Sequence, residues 1–160
     1  MASLPQLVRE DVLRLDEELR ELLAQSEATV ALLIDTGGFL ISSSGDARQF
    51  DLTTIAALAA GAFLANQTIA GLVRETQFHS LYQQGQQFSL FLLAIDEQAL
   101  LVVIFQAHLG VGLVKYFAQP AAQRIARQLQ IAQARNPAAS LDLSELNLED
   151  PRGLFRKKAD

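Results

Sequence analysis

From Leu52 to Val73 the chain runs for 22 residues without a charge, opened by Asp51 and closed by Arg74-Glu75. No Pro interrupts it, and Ala and Leu dominate, so it predicts one long helix capped by the Asp51 side chain. On a helical wheel Ile55, Ala59, Ala62, Ile69 and Val73 share one face, expected to meet a sheet. The other face carries Thr53, Ala57, Ala60, Gly61, Leu64, Thr68 and Gly71. A helix covered on one side only normally shows Lys and Glu on the other. Small uncharged residues there suit a second helix or protein at close range. Burial under the chain's own first or last helix explains the same pattern.

The length also matches a membrane span. Thr53, Thr54, Asn66, Gln67 and Thr68 interrupt the run, however, and no Lys or Arg cluster flanks it. No membrane span is therefore expected.

The flanking segments place this helix in a layered domain. Leu7 to about Gln25 repeats apolar residues at Val8, Val12, Leu15, Leu19 and Leu22, a helix with Glu10–Arg14 and Asp16–Arg20 on its wet side. Thr29–Ile34 and Phe39–Ile41 flank Asp35-Thr36-Gly37-Gly38 and predict a hairpin. Three runs follow the long helix: Phe78–Gln83, Phe88–Ile95 and Ala99–Phe105. The last is apolar on both faces and belongs in the middle of a sheet covered on both sides. Leu109–Lys115 is ambiguous, with Gly110 and Gly112 weakening either assignment. A helix then reaches about Arg135, and Pro120 marks a first turn or a kink.

The expected fold is α+β, an α/β/α sandwich: a five-stranded antiparallel sheet with helices on both faces, in the order α-β-β-α-β-β-β-α. Residues 1–136 form the domain and residues 137–160 a flexible C-terminal tail, acidic at Asp142, Glu145, Glu149 and Asp150. Leu154-Phe155 before Arg156-Lys157-Lys158 has the form of a docking motif, and equally that of a disordered terminus.

The chemistry-bearing residues are few. His79 and His108 have no companion at metal-ligand spacing, so no metal is expected. Ser42, Ser43 and Ser44 lie in no G-x-S-x-G elbow, and Asp35, Asp46, Asp51, Asp96 and Glu97 sit at turns or caps. No Gly-rich phosphate cradle is present, and no cofactor is implied. A net charge of −5 without a basic stripe argues against nucleic acid. The absence of cysteine suits a reducing cytoplasm, and Met1–Pro5 carries no signal-peptide pattern. These features point to a binding protein rather than an autonomous enzyme.

Several collinear pieces resemble the Roadblock/dynein light chain family. They are Ala31–Asp35, Gly38–Ser42, Gly45, Ile55–Gly61, Gln83-Gln84-Gly85, Leu101–Phe105 and Leu113-Val114-Lys115, and within the family they resemble bacterial MglB-type proteins. The similarity runs roughly from Leu7 through Leu129, and the tail around Glu149–Phe155 shares it more weakly. The resemblance implies a Roadblock/profilin-like fold and a homodimer whose second helices lie antiparallel on one side of a continuous sheet. It also implies a Ras-like small GTPase of the MglA type as partner, GTPase activation without an arginine finger, and a role in bacterial cell polarity and gliding or twitching motility. The protein would be cytoplasmic, concentrated at a cell pole.

Carried over, the platform falls on Ala57, Ala60, Gly61, Leu64, Ala65 and Thr68, with Arg74 at its edge and the tail contact on Leu154 and Phe155. Leu64 and Thr68 are bulkier than the family's usual Ala and Gly. Arg74 reads either as a finger or as a charge stabilising the helix C-terminus. Two other readings fit the residues: a Roadblock scaffold that does not activate, and a small-ligand sensor with Phe88–Ile95 and Leu100–Phe105 lining a pocket.

Overall fold

The computed structural model describes residues 4–135. Eight elements follow in order: α1 (Arg9–Ser26), β1 (Val30–Asp35), β2 (Leu40–Gly45), α2 (Leu52–Leu72), β3 (Ser80–Gln83), β4 (Phe88–Ala94), β5 (Ala99–Gln106) and α3 (Val111–Arg135). The strands make one antiparallel sheet in the order β2-β1-β5-β4-β3. The doubly apolar Ala99–Phe105 run is its central strand, as its composition predicted.

Alternation along the strands divides the core in two. Ala31, Leu33, Phe91, Leu101, Val103 and Phe105 face α1 and α3, together with Leu15, Leu19, Leu22, Ile125 and Leu129. Val30, Leu32, Ile34, Leu92, Val102 and Ile104 face α2. The first helix begins at Arg9 rather than Leu7, and its expected stripe is changed at one end. Asp11 is fully buried, whereas Val8 is the exposed N-cap. Asp16 likewise does not pair with Arg20; it accepts a hydrogen bond from the Ser42 hydroxyl on β2.

Asp11 is held by three donors besides the Val8 N–H it caps at 2.9 Å. Arg135 donates at 2.8 and 3.1 Å and Gln128 at 2.7 Å, joining the start of α1 to the end of α3. The Arg135 hydrogen bonds hold the carboxyl pKa down to about 2. A depressed carboxyl stabilises the fold above its ordinary value of 3.8, and that contribution fades as pH falls through about 2. Asp11→Asn is expected to cost about 2 kcal/mol at pH 7, lowering Tm by roughly 5–8 °C. In thermal melts the difference from the parent should shrink between pH 4 and pH 2. A difference that stays constant over that range contradicts the assignment.

The turns follow their side chains. Asp35 accepts from the Phe39 N–H at 2.8 Å, and Asp96 accepts from Gln98 and Ala99 at 2.8 and 2.9 Å. Gly38 has φ +94°, and a Cβ there would lie 2.9 Å from the Ala57 Cα. The hairpin turn therefore needs glycine for its backbone and for its contact with α2. The ambiguous stretch after β5 becomes helix from Val111, and α3 continues through Pro120 as one element. Pro120 sits on the exposed side, where water can satisfy the carbonyl it leaves unpaired.

Candidate functional site: the outer surface of the second helix

Asp51 caps α2 as expected, accepting from the Thr54 N–H at 3.1 Å. The orientation of the helix differs from the wheel. Ala56, Ala59, Ala60, Phe63 and Ala70 are the buried residues. Ile69 and Val73, expected on the sheet, are exposed, and Ala60, expected on the outer face, packs on the sheet at 6% exposure. Phe63, on neither expected face, is the large side chain that turns this side inward. A run apolar all round offers little amphipathic contrast, so a wheel alone orients it poorly. Among the described residues α2 is the one helix long and apolar enough to cross a membrane; here it packs on the sheet through its small side chains.

Ala57, Gly61, Leu64, Ala65 and Thr68 do lie on the outer side. Leu64 is 70% exposed, and the Thr68 hydroxyl donates to the Leu64 carbonyl at 3.2 Å. Beside this small-residue stripe runs a second one that the wheel did not separate. Leu58, Ala62, Ala65, Ile69 and Leu72 recur at spacings of four, three, four and three, the pattern of a helix–helix seam. Leu58 is 69% exposed and Leu72 79%, so the larger members of this seam stand in the open. The spacing was legible in the sequence; the exposure was not.

A shallow apolar groove of about 260 Å³ borders the second stripe, formed by Ile55, Leu58, Ala59, Ala62, Gln83, Leu90 and Leu92. It leads to β3, an edge strand paired only with β4 among the described strands. Asn66 Nδ2 is buried with no hydrogen-bond partner among the described residues. On the other flank a cleft of about 520 Å³ lies between α2, the loop before β3 and the β4–β5 turn. Phe63, Leu64, Phe78, Ile95 and Leu100 contribute its apolar walls, and Asp96 and Glu97 lie at the turn. Gln67 fixes the adjoining loop, accepting from the Phe78 N–H at 3.2 Å and donating to its carbonyl at 2.5 Å.

Arg74 follows the end of α2 at φ 63°, and the Glu75 N–H closes back on the Ala70 carbonyl at 2.8 Å. It therefore occupies the left-handed position that terminates a helix. Most of the strand residues considered as a ligand pocket are core: Phe91–Leu93 and Leu100–Phe105 are buried between the layers. Among the described residues no group of three or more His, Asp or Glu gathers at metal-binding distance. Leu154 and Phe155 lie outside the described residues.

The layer order, the strand order and an uncharged outer helix define a Roadblock-type domain. A Roadblock/LC7 domain model matches residues 14–105, more than half of the chain, and the chain belongs to that family. Within the family it is similar to solved structures of MglB. An MglB with a tetrameric arrangement is 31% identical, over 82% of this chain and 99% of that one, with a TM-score of 0.76. The gliding protein MglB from Thermus thermophilus is 31% identical over 81% and 98%, with a TM-score of 0.75. MglB of Myxococcus xanthus is 29% identical over 73% and 95%, with a TM-score of 0.70. No curated protein sequence matches the chain at a significant level.

Proposed function

We propose that the protein is a homodimeric regulator that binds a Ras-like small GTPase of the MglA type on α2 and accelerates its GTP hydrolysis. In this reading it acts in the cytoplasm, in bacterial cell polarity and motility. The observation that carries the reading is the outer surface of α2, uncharged from Leu52 to Val73 and apolar at Leu58, Leu64, Ile69 and Leu72. Contiguous exposed apolar surface of this kind marks an interface. The similarity to MglB supports reading that interface as a protein-binding surface.

Two stripes allow two contacts. The Leu58–Leu72 seam borders the groove and the open β3 edge, so it suits a second copy whose sheet continues this one. An antiparallel pair centred on Ala65 sets Leu58 against Leu72 of the second copy and Ala62 against Thr68 and Ile69. Large residues then meet small ones near the crossing. Such a neighbour would also offer an acceptor to Asn66, whose unpaired amide is otherwise costly. The small-residue stripe of Ala57, Gly61, Leu64 and Thr68 is left for the GTPase, with Leu64 as the side chain that projects.

The platform holds no reactive group, and it acts by selection. Intrinsic GTP hydrolysis is slow because mobile switch loops leave water and stabilising groups poorly placed. A rigid helix pair that binds only the ordered loops shifts that population without entering the chemistry. Phosphate release by a purified MglA-type GTPase should rise at least about tenfold on adding the protein. Binding without acceleration would reduce the protein to a scaffold.

Arg74 separates this mechanism from a finger. An arginine finger is worth roughly 10³–10⁵ in rate, whereas a helix-terminating residue at positive φ is replaced by glycine without loss. Arg74→Gly is therefore expected to leave stimulated phosphate release within about twofold of the parent. A fall of about a thousandfold would make Arg74 catalytic.

A further inference from the structure

The cleft on the far flank of α2 is used neither by the seam nor by the small-residue stripe, apart from Leu64 at its rim. Phe63, Leu64, Phe78, Ile95 and Leu100 form an apolar patch among polar Gln67, Thr76, Gln77 and His79, its turn carries Asp96 and Glu97, and no Lys or Arg is among the residues that line it. It therefore suits a short segment that offers apolar side chains followed by positive charge. Beyond α3 the sequence offers such a segment, with a run of three basic residues: Leu154-Phe155 followed by Arg156-Lys157-Lys158. The geometry points to this cleft as the docking site of the chain's own residues 154–158.

Topology brings the two together. A Cβ on Gly45 would meet Leu23, and Ser42 bonds Asp16, so α1 runs back along β2 with Asp11 towards the end where β2 begins and β1 finishes. Arg135 is bonded to Asp11, so α3 also finishes at that end. The cleft opens there as well, between Thr36 after β1, Ile95–Glu97 after β4, and Leu100 near the start of β5. The segment leaves the last helix at the end of the sheet that carries the cleft.

Length and charge agree. Residues 136–153 intervene, and 18 residues following random-coil statistics would span roughly 20–25 Å, comparable with the roughly 20 Å from one helix layer across a sheet to the other. A tether matched to its span gives an effective concentration in the mM range, so even a weak site is filled. The linker's Asp142, Glu145, Glu149 and Asp150 are disfavoured beside Asp96 and Glu97, which selects the basic end as the docked part. Once seated, the segment lies beside Leu64 and covers one flank of the proposed GTPase surface.

The test needs no GTPase, so its failure is distinct from failure of the activator reading. The chain contains no cysteine, which lets a single spin label be attached at Asp160→Cys in the full-length protein. The label is expected to broaden the amide resonances of Gln77, Phe78, His79 and Glu97 above those of Leu58, Leu90 and the α1–α3 face. Leu154→Ala with Phe155→Ala should reduce that broadening by roughly tenfold, the loss expected when two anchoring side chains are removed. Glu97→Lys should reduce it as well, with Asp96 kept intact because it caps its turn. Uniform broadening, broadening centred on the Ile55–Leu92 groove, or insensitivity to both changes overturns the proposal.

Discussion

Gly61→Arg is expected to abolish GTPase binding while leaving the domain as stable as its parent, and Ala56→Arg, five residues away, is expected to unfold it. A Cβ built on Gly61 meets nothing within 4 Å, so the longer side chain has room. Removing a glycine from a helix interior adds up to about 1 kcal/mol of helix stability. At a contact with a partner the same arginine is a desolvated charge without a counter-ion, worth about 2–4 kcal/mol, or roughly 30- to 1000-fold in Kd. Ala56 is fully buried in the same core cluster as Val30, Leu32, Ile34 and Phe63, between α2 and the sheet. An arginine there must displace packed side chains and bury its charge, a cost of several kcal/mol against a total of about 5–15. Circular-dichroism melts together with GTPase titration separate the two. Retained affinity in folded Gly61→Arg would move the partner surface elsewhere.

That contrast marks where the sequence was readable. The central position of Ala99–Phe105 followed from its being apolar at successive positions, because only a strand covered on both faces can hide both sets of side chains. The Asp51 cap and the Asp35 and Asp96 turns followed from local chemistry, in which a short carboxylate bonds the backbone within four residues. The orientation of α2 did not follow, because almost every position in it is apolar or small and neither face declares itself. Phe63 decides it by volume once the sheet is present, and this moves Ala60 inward and Ile69 and Val73 outward. Asp11 was missed for a different reason. Its partner Arg135 is 124 positions away, and nothing near Asp11 in the sequence announces a buried ion pair. The cleft is likewise made of segments far apart in the chain, and no periodicity reports it.

Ala65→Glu is expected to dissociate the proposed homodimer at neutral pH and to let it re-form as the pH falls. Ala65 lies on the exposed side of α2, so in a single copy the new carboxylate is solvated and the fold is unaffected. In an antiparallel pair centred on this residue a two-fold axis brings the two copies of position 65 together, so one substitution is felt twice. Two carboxylates facing each other in an apolar seam are unfavourable both through desolvation and through like charge. About 3 kcal/mol is expected, weakening association by more than roughly 100-fold. Both effects raise the carboxyl pKa in the paired state, so pairing binds protons and strengthens as pH falls from 7 towards about 5. Ala65→Lys cannot recover in this way, because acid keeps its charge in place. Sedimentation at both pH values reads all of these outcomes. Unchanged association in Ala65→Glu, or equal recovery of Ala65→Lys in acid, would remove Ala65 from the axis.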